Sequence, residues 1–549
     1  MLCKNEKITF ICRFSIESAP NLVIITLMKR LIPIVMTLCV YLLSVSGCKR
    51  EKLEKPVQEI SVVPADSTET TETPTEESGE ENENVPDGTE EPAAEETDIF
   101  RALTNGVLRG EKEVLVKDFR IPAAKADSVY NAFLRSHPLL FHLKVSGNIG
   151  YRVDLEHPEY LATFLPQYAV LPTALPDIYP RLEESMESFY ALLDYRMSQA
   201  EIAYTLYQKL CQEVVYGERN EDFPNLAYAS FSALGVFLTH KAVCQGYSLS
   251  YSLLMNGLGI PTDYVTGAIA GTSGHAWNRV YLDGNWYHAD ATFDDASTYK
   301  MPGMGSINKY FLCSDDLFYG AFAHPKPHVN LQERIYAPSG HKFDSEKCVV
   351  RRYNAKGEVI KTEARYVDGY WYYQTARDGK KQILKSDFCG QQAQVIRQLS
   401  MPSVIEGVDR IQYTRDRIYF IDYLNGDYFI CSMNYDGNGF RQEKKISYID
   451  AVNPKLKLSR DDSAPVPPVC KGVIALKAET MLARLRLLYC HGNDDYFELS
   501  QPQAKELEAL VKKADELLEK PVDEAQADGF AKEMREKRKV YSVPCSVRP

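Results

Sequence analysis

None of the 13 cysteines forms a C-x-x-C pair, so the spacing that a zinc ribbon or a thioredoxin-like redox site needs is missing. There is no excess of positive charge either: 63 Lys and Arg stand against 75 Asp and Glu, for a formal charge of −12. That charge is local. Residues 1–47 carry five basic and two acidic side chains, and residues 66–98 carry 14 acidic and no basic ones. The remainder is close to neutral, so no field favours nucleic acid. Long apolar runs are absent beyond the N-terminus, which argues against a polytopic membrane protein. Tryptophan is scarce, with three residues, whereas tyrosine is abundant at 35, so an aromatic core is expected to be built largely from tyrosine. A hydrophobic content of 45% and a charged content of 25% are ordinary for a globular chain and exclude a collagen or a wholly disordered one. The length of 549 residues leaves room for about two to four domains.

At the N-terminus, Met28-Lys29-Arg30 precedes an apolar run from Leu31 to Val45, broken only by Pro33, Thr37 and Ser44, that ends in Val45-Ser46-Gly47-Cys48. A basic start, a short apolar stretch and small residues before the break have the form of a secretory signal. With Cys directly after the small pair, residues 1–48 resemble a bacterial lipoprotein signal. That resemblance implies cleavage before Cys48, lipid on its sulfur, and a lipid-anchored place on the extracytoplasmic side of the cell envelope. The other reading is a single transmembrane anchor. Residues 1–27 precede the natural start at Met28 and carry no structural expectation. Residues 49–99 are rich in Glu, Thr, Pro and Ser; they bury too little apolar surface to offset their ordering entropy and are expected to form a disordered, charge-extended tether.

Cys3, Cys12 and Cys39 would leave with the signal, and Cys48 would carry lipid. Nine cysteines remain, from Cys211 to Cys545. An odd number leaves at least one unpaired thiol whatever the pairing. In the body of the chain, residues 113–121 read as a strand and Pro122 to His137 as a helix. A Pro-broken stretch follows to Pro180, then a helix over 181–196. Ser198-Gln199-Ala200-Glu201 is a capping box, and Ile202, Leu206, Leu210 and Val214 give the helix behind it one apolar face.

The chemistry concentrates between Ala227 and Asp295. Cys244 opens a helix whose Tyr247, Tyr251, Leu254 and Leu258 recur at helical spacing and which Gly259 and Pro261 end. The dipole and unpaired amides of a first turn favour a thiolate. TDYVTGAIA reads as a strand. HAWNRVYL and NWYHADAT read as a hairpin around Asp283-Gly284. In that register Trp277 faces Asp290, and His275 is a diagonal neighbour of Asp290 on the same face, roughly 7–8 Å away. A cysteine at a helix N-terminus with His and Asp on a hairpin is a nucleophile, base and orienter set. Plainer readings stand beside it. Cys244 is a buried structural thiol in one, and Asp290 is a capping residue with Asp294 or Asp295 as orienter in another. A metal site from His275, His288 and Asp294 lacks a recognised spacing. Trp277 either packs in the core or, as a substrate-cleft candidate, shapes the acyl site.

VCQGY, HAWNRVYLDGNWYHADATFDD and Lys309-Tyr310-Phe311-Leu312 resemble the transglutaminase-like superfamily of papain-fold cysteine enzymes, and MSQAEIAYTLYQKL resembles the helix that precedes that core. The resemblance covers about residues 100–330. It implies an α+β, papain/transglutaminase-like catalytic domain with Cys244 as nucleophile, His275 as base and Asp290 as orienter. It implies no cofactor and no metal, since a calcium-binding loop is not evident, and it gives no oxyanion donor beyond the Cys244 amide.

Residues 331–453 read as a small all-β domain. Tyr366–Tyr373 and Arg415–Asp422 echo each other, with Trp371 and Tyr419 48 residues apart. Two such copies resemble partial propeller repeats and are too few to close a ring of about four blades. Residues 454–549 read as a Pro-rich linker followed by helices, one over 502–520, expected to pack on the β-domain or to recruit a partner. The functional expectation is an exported lipoprotein with a Cys-His-Asp site that acts on peptide or amide bonds through a thioester. Its partners would be a protein or peptide substrate, cell-wall peptide among them, and the membrane through Cys48. Hydrolysis is favoured over amine transfer. The alternative is a non-enzymatic binding or adhesion lipoprotein that uses the fold as a scaffold.

Overall fold

The computed structural model describes residues 95–540 apart from short segments, of which the longest are 144–149, 219–228, 297–305, 325–339, 403–409 and 492–500. The signal, Cys48 and the tether as far as residue 94 lie outside the described residues, as does Cys545. Among the described residues no helix is long and apolar enough to cross a membrane, and Cys211, Cys244, Cys313, Cys348, Cys389, Cys431 and Cys470 are free thiols.

Helix α1 (Glu95–Leu108) leads to a three-stranded sheet of β1 (Val114–Leu115), β2 (Gly150–Val153) and β3 (Leu161–Leu165) in the order β1-β3-β2. The strand expected over 113–121 is only two residues long, because the chain tightens into a 3-10 turn at Lys117–Phe119, closed by Arg120 in the left-handed region at φ 48°. Helix α2 (Ala126–Ser136) ends before Pro138, as expected. Helix α3 (Leu175–Tyr190) begins earlier than the expected 181. Pro176 lies in its first turn, where a missing N–H breaks no helical bond. In α4 (Gln199–Glu213) the capping box forms: Glu201 accepts the Ser198 N–H at 2.7 Å, and Ser198 Oγ accepts the Glu201 N–H at 3.4 Å. Ile202, Leu206 and Leu210 are buried.

The short β4 (Val215–Tyr216) runs parallel to β5 (Lys241–Ala242), which delivers the chain into α5 (Cys244–Gly257). Beside α5 lies an antiparallel sheet of β6 (Thr262–Ala268), β7 (Gly274–Leu282), β8 (Asn285–Ala289) and β9 (Phe311–Cys313), in that order. The β7–β8 turn is made by Asp283 and Gly284 at φ 52° and 81°, the two left-handed residues that a type I′ turn requires. Leu282 pairs with Asn285 and Asn278 with Ala289, which is the expected register. Asn278 ties sheet to helix by donating to Ser248 O at 2.9 Å and Ser252 Oγ at 2.8 Å. The one-turn helix α6 (Ala291–Asp294) follows β8.

Two four-stranded antiparallel meanders follow: β10 (Arg365–Val367), β11 (Tyr370–Arg377), β12 (Lys380–Ser386) and β13 (Gln394–Pro402), then β14 (Ile411–Tyr413), β15 (Arg417–Leu424), β16 (Asp427–Asn434) and β17 (Arg441–Ile446). No closed barrel or propeller is formed by the described residues. Trp371 and Tyr419 lie on β11 and β15, the second strand of each meander. The short α7 (Tyr448–Ala451) precedes three helices, α8 (Gly472–His491), α9 (Gln501–Leu518) and α10 (Glu524–Val540). The first of these helices packs into the core beside α3 and α5. Leu482 and Leu485 of α8 join the same core cluster as Met186 and Leu254, and that cluster also takes in Trp371 and Phe388 of the β-domain. Residues of the β-meanders and of α8 thus share the interior around α3 and α5.

Candidate active site

Cys244 is the first residue of α5, preceded by the extended Val243. First-turn amides have no intrahelical acceptor, and the dipole is positive at this end, which suits a thiolate and a developing oxyanion. The backbone holds this end closely. Val243 donates to Ser230 O at 3.0 Å, and a Cβ at Gly246 would stand 2.5 Å from Ser230 O and 3.0 Å from Ser232 O. Only glycine permits that approach. Tyr247 and Tyr251 are fully buried on the inner face, while Cys244 is half-buried at the surface end.

His275, near the start of β7, is 4% exposed. Its ring stacks on Phe293, with centroids 4.4 Å apart, and lies over Trp277 at 5.9 Å. Its Nε2 meets Asp290 Oδ2 at 2.6 Å. Cys244 lies near enough for its charge to reach the ring. Burial by itself would lower the imidazole's pKa. The charge and hydrogen bond of Asp290, with the contribution of Cys244, outweigh it and push His275 up to about 10.

Asp290 fills both roles that the sequence left open. Its Oδ1 accepts the Phe293 N–H at 3.0 Å and so caps α6, and its Oδ2 orients His275. It is completely buried. Burial would raise its carboxyl, but the two imidazoles bonded to it, His275 and His324, hold it well below the usual carboxylate range. The alternative orienters are engaged elsewhere. Asp294 accepts the Lys309 N–H at 2.7 Å and the Tyr207 hydroxyl at 2.8 Å, and burial pushes it up to about 7. Asp295 accepts from the Tyr247 hydroxyl.

Trp277, expected as a candidate to shape the cleft, is placed behind the site. It is fully buried in an aromatic cluster with Tyr310, Phe318 and Phe322, and it touches the face of His275. Its indole N–H donates to His288 Nδ1 at 3.2 Å, and His288 Nε2 donates to Asp315 at 2.7 Å. His288 and Asp294 therefore do not converge with His275 on a metal. The grouping that does occur is His275, Asp290 and His324, whose ligand atoms lie within 4.8 Å of one another. Two of these contacts, at 2.6 and 2.7 Å, are tighter than the roughly 3.3 Å between ligands of a tetrahedral ion with bonds of about 2.0–2.1 Å. They have the spacing of protons shared with a carboxylate. His324 was not legible from sequence: it belongs to no motif, and tertiary packing alone brings it to a carboxylate 34 residues earlier; Phe293 lies within the hairpin motif, but its stacking on His275 was not read. Burial and then the charge of Cys244 raise the hydroxyl pKa of Tyr216, on β4.

Residues 192–291 match the family model described as the transglutaminase-like superfamily. The chain therefore carries a transglutaminase-like domain, and Cys244, His275 and Asp290 all lie within it. Two solved structures are similar over part of their length. One is described as the crystal structure of a TGase, 26% identical, covering 22% of this chain and 32% of that one with a TM-score of 0.17. The other is named a "Putative Cysteine Protease" from Cytophaga hutchinsonii, 21% identical, covering 24% of this chain and 52% of that one with a TM-score of 0.16. The chain thus spans about a third and about half of their lengths. No curated protein matches the chain.

Proposed function

We propose that this protein is a cysteine-dependent hydrolase or acyltransferase that opens peptide or amide bonds through a thioester on Cys244. The observation that carries this reading is the buried Asp290–His275 pair beside a cysteine at a helix N-terminus whose charge reaches the imidazole. In this reading His275 takes the Cys244 proton while Asp290 steadies the imidazolium. The sulfur attacks the acyl carbon, the carbon–nitrogen bond breaks, and His275 delivers the proton to the leaving amine. Water or a second amine then gives a proton to His275, attacks the thioester carbon and releases the sulfur, which recovers a proton from His275. Water makes the protein a protease or amidase; an amine makes it a transglutaminase.

We favour hydrolysis, because an exported lipoprotein anchored through Cys48 in the bacterial cell envelope works in abundant water. Its substrates in this reading are proteins or peptides, cell-wall peptides included. The first test is the pH dependence of Cys244 alkylation in the purified full chain, followed by peptide mass spectrometry beside His275→Ala. An ordinary thiol titrates near ~8.5. Rapid labelling below neutral pH, lost in His275→Ala, is the expected result. Labelling that follows an ordinary thiol would instead favour a non-enzymatic binding scaffold. The anchor is tested separately, by whether Cys48→Ser moves the protein out of the membrane fraction.

A further inference from the structure

We propose that His324 is a positioning residue that holds the Asp290 carboxylate on the same oxygen that orients His275. The inference rests on the reading of Cys244, His275 and Asp290 as an acyl-transfer site. Asp290 Oδ2 receives two imidazoles, His275 Nε2 at 2.6 Å and His324 Nε2 at 2.7 Å, while Oδ1 receives the Phe293 N–H at 3.0 Å. A carboxylate held at Oδ1 alone can rock about that bond. His275 is a poor second anchor, because its charge changes as it takes and gives protons, and its grip on Oδ2 changes with it. His324 supplies a hold on Oδ2 that stands outside the proton path. The same donor shares the negative charge of Asp290 and so moderates its pull on the His275 proton.

The setting of His324 fits a fixed donor. Its side chain is fully buried, and its backbone N–H donates to Phe318 O at 2.9 Å. Its ring stacks on Phe318 with centroids 3.9 Å apart, and Trp277 meets it edge-on at 4.9 Å. Tyr310 and Phe293 line the rest of the slot, at 5.5 and 5.1 Å. The titratable groups around it are Asp290, His275 at 5.6 Å, Tyr310 at 5.5 Å, Tyr319 at 6.3 Å, and His288, whose charge reaches it. A phenylalanine would fill this aromatic slot as well. Burying an imidazole in it is unfavourable unless the ring is hydrogen-bonded, and its Nε2 bonds the carboxylate of the site. His324 also lies outside residues 192–291, so the family match does not assign it.

The experiment compares His324→Phe, which keeps the packing and removes the donor, with His324→Gln, which keeps an N–H near the position of Nε2. The full chain is labelled at Cys244 with iodoacetamide across a pH series, and thermal melting reports the fold. The expected result is a rate below neutral pH lower by about tenfold or more in the Phe variant, the scale of a misplaced catalytic group. Its profile should move toward that of an ordinary thiol, and His324→Gln should recover most of the loss. Should the Phe variant not fold, His324→Leu takes its place with the same expectation. A Phe variant that labels like a wild type whose thiol is activated would overturn this inference alone, as would a folded Gln variant as slow as Phe. A wild-type thiol that labels as an ordinary one would overturn the reading of the site, and this inference with it.

Discussion

Asp290 shows how much one buried side chain decides. It follows β8, caps α6 and accepts from two imidazoles, and these bonds hold it ionised in a place where burial favours the neutral acid. Its partner His275 is displaced the other way, from an ordinary 6.5 up to about 10. A basic group whose pKa is raised by folding stabilises the fold fully below its unfolded pKa and loses that contribution as pH rises through its folded pKa. His275 should therefore stabilise the protein below about pH 6.5 and cease to do so by about pH 10. The expected outcome is a thermal midpoint that falls more steeply between those values in the wild type than in His275→Ala. Taking the difference between the two removes the separate titrations of Asp294 and Glu479, each pushed up to about 7. Equal slopes would mean that the ion pair is not formed in solution.

At the scale of elements, the place of Cys244 depends on where α5 can begin. Gly246 lets its first turn press against the backbone at Ser230 and Ser232, so Gly246→Ala must push the helix end outward. A loss of about 1–3 kcal/mol is expected from overpacking, read by urea unfolding, together with slower alkylation of Cys244. The start of α4 carries a second device. Glu201 closes the capping box and also accepts the indole N–H of Trp371 at 2.8 Å from the β-domain. Ser198→Ala should cost about 1 kcal/mol, as a lost N-cap does. Glu201→Ala should cost more, because it also leaves a buried indole donor unpaired, at about 1–3 kcal/mol. Equal losses in urea unfolding would show that the Trp371 contact contributes nothing. The capping box and the apolar face of α4 were legible because they are local. The link to Trp371, 170 residues away, was not.

At the scale of the molecule, the C-terminal helices are fastened to α3 by buried charge. Arg538 of α10 is fully buried; it meets Glu479 of α8 at 2.7 Å and pairs with Glu183 and Glu187 of α3. Glu183 also pairs with Arg486. Removing one partner of such a group leaves uncompensated charge in the interior, so Arg538→Ala is expected to destabilise the protein by about 3–5 kcal/mol. Urea unfolding checks it, and a loss below about 1 kcal/mol would place these contacts with weak surface ion pairs. From the sequence α9 read as a charged helix with an apolar stripe and α10 as a shorter charged helix, and the place where Arg538 rests could not be read, because its partners Glu183 and Glu187 lie far back in the chain. The same division runs through the site. The hairpin turn at Asp283-Gly284 and the period of two along its strands put His275 and Asp290 on one face, and the helix signals around Cys244 put the thiol at an N-terminus. Those are consequences of local backbone chemistry, so the sequence by itself determined them. The second imidazole on Asp290, the burial of Trp277 behind His275 and the seat of the helices on the core were decided only by the tertiary structure. Each depends on contacts between segments far apart in the chain, which no local spacing encodes.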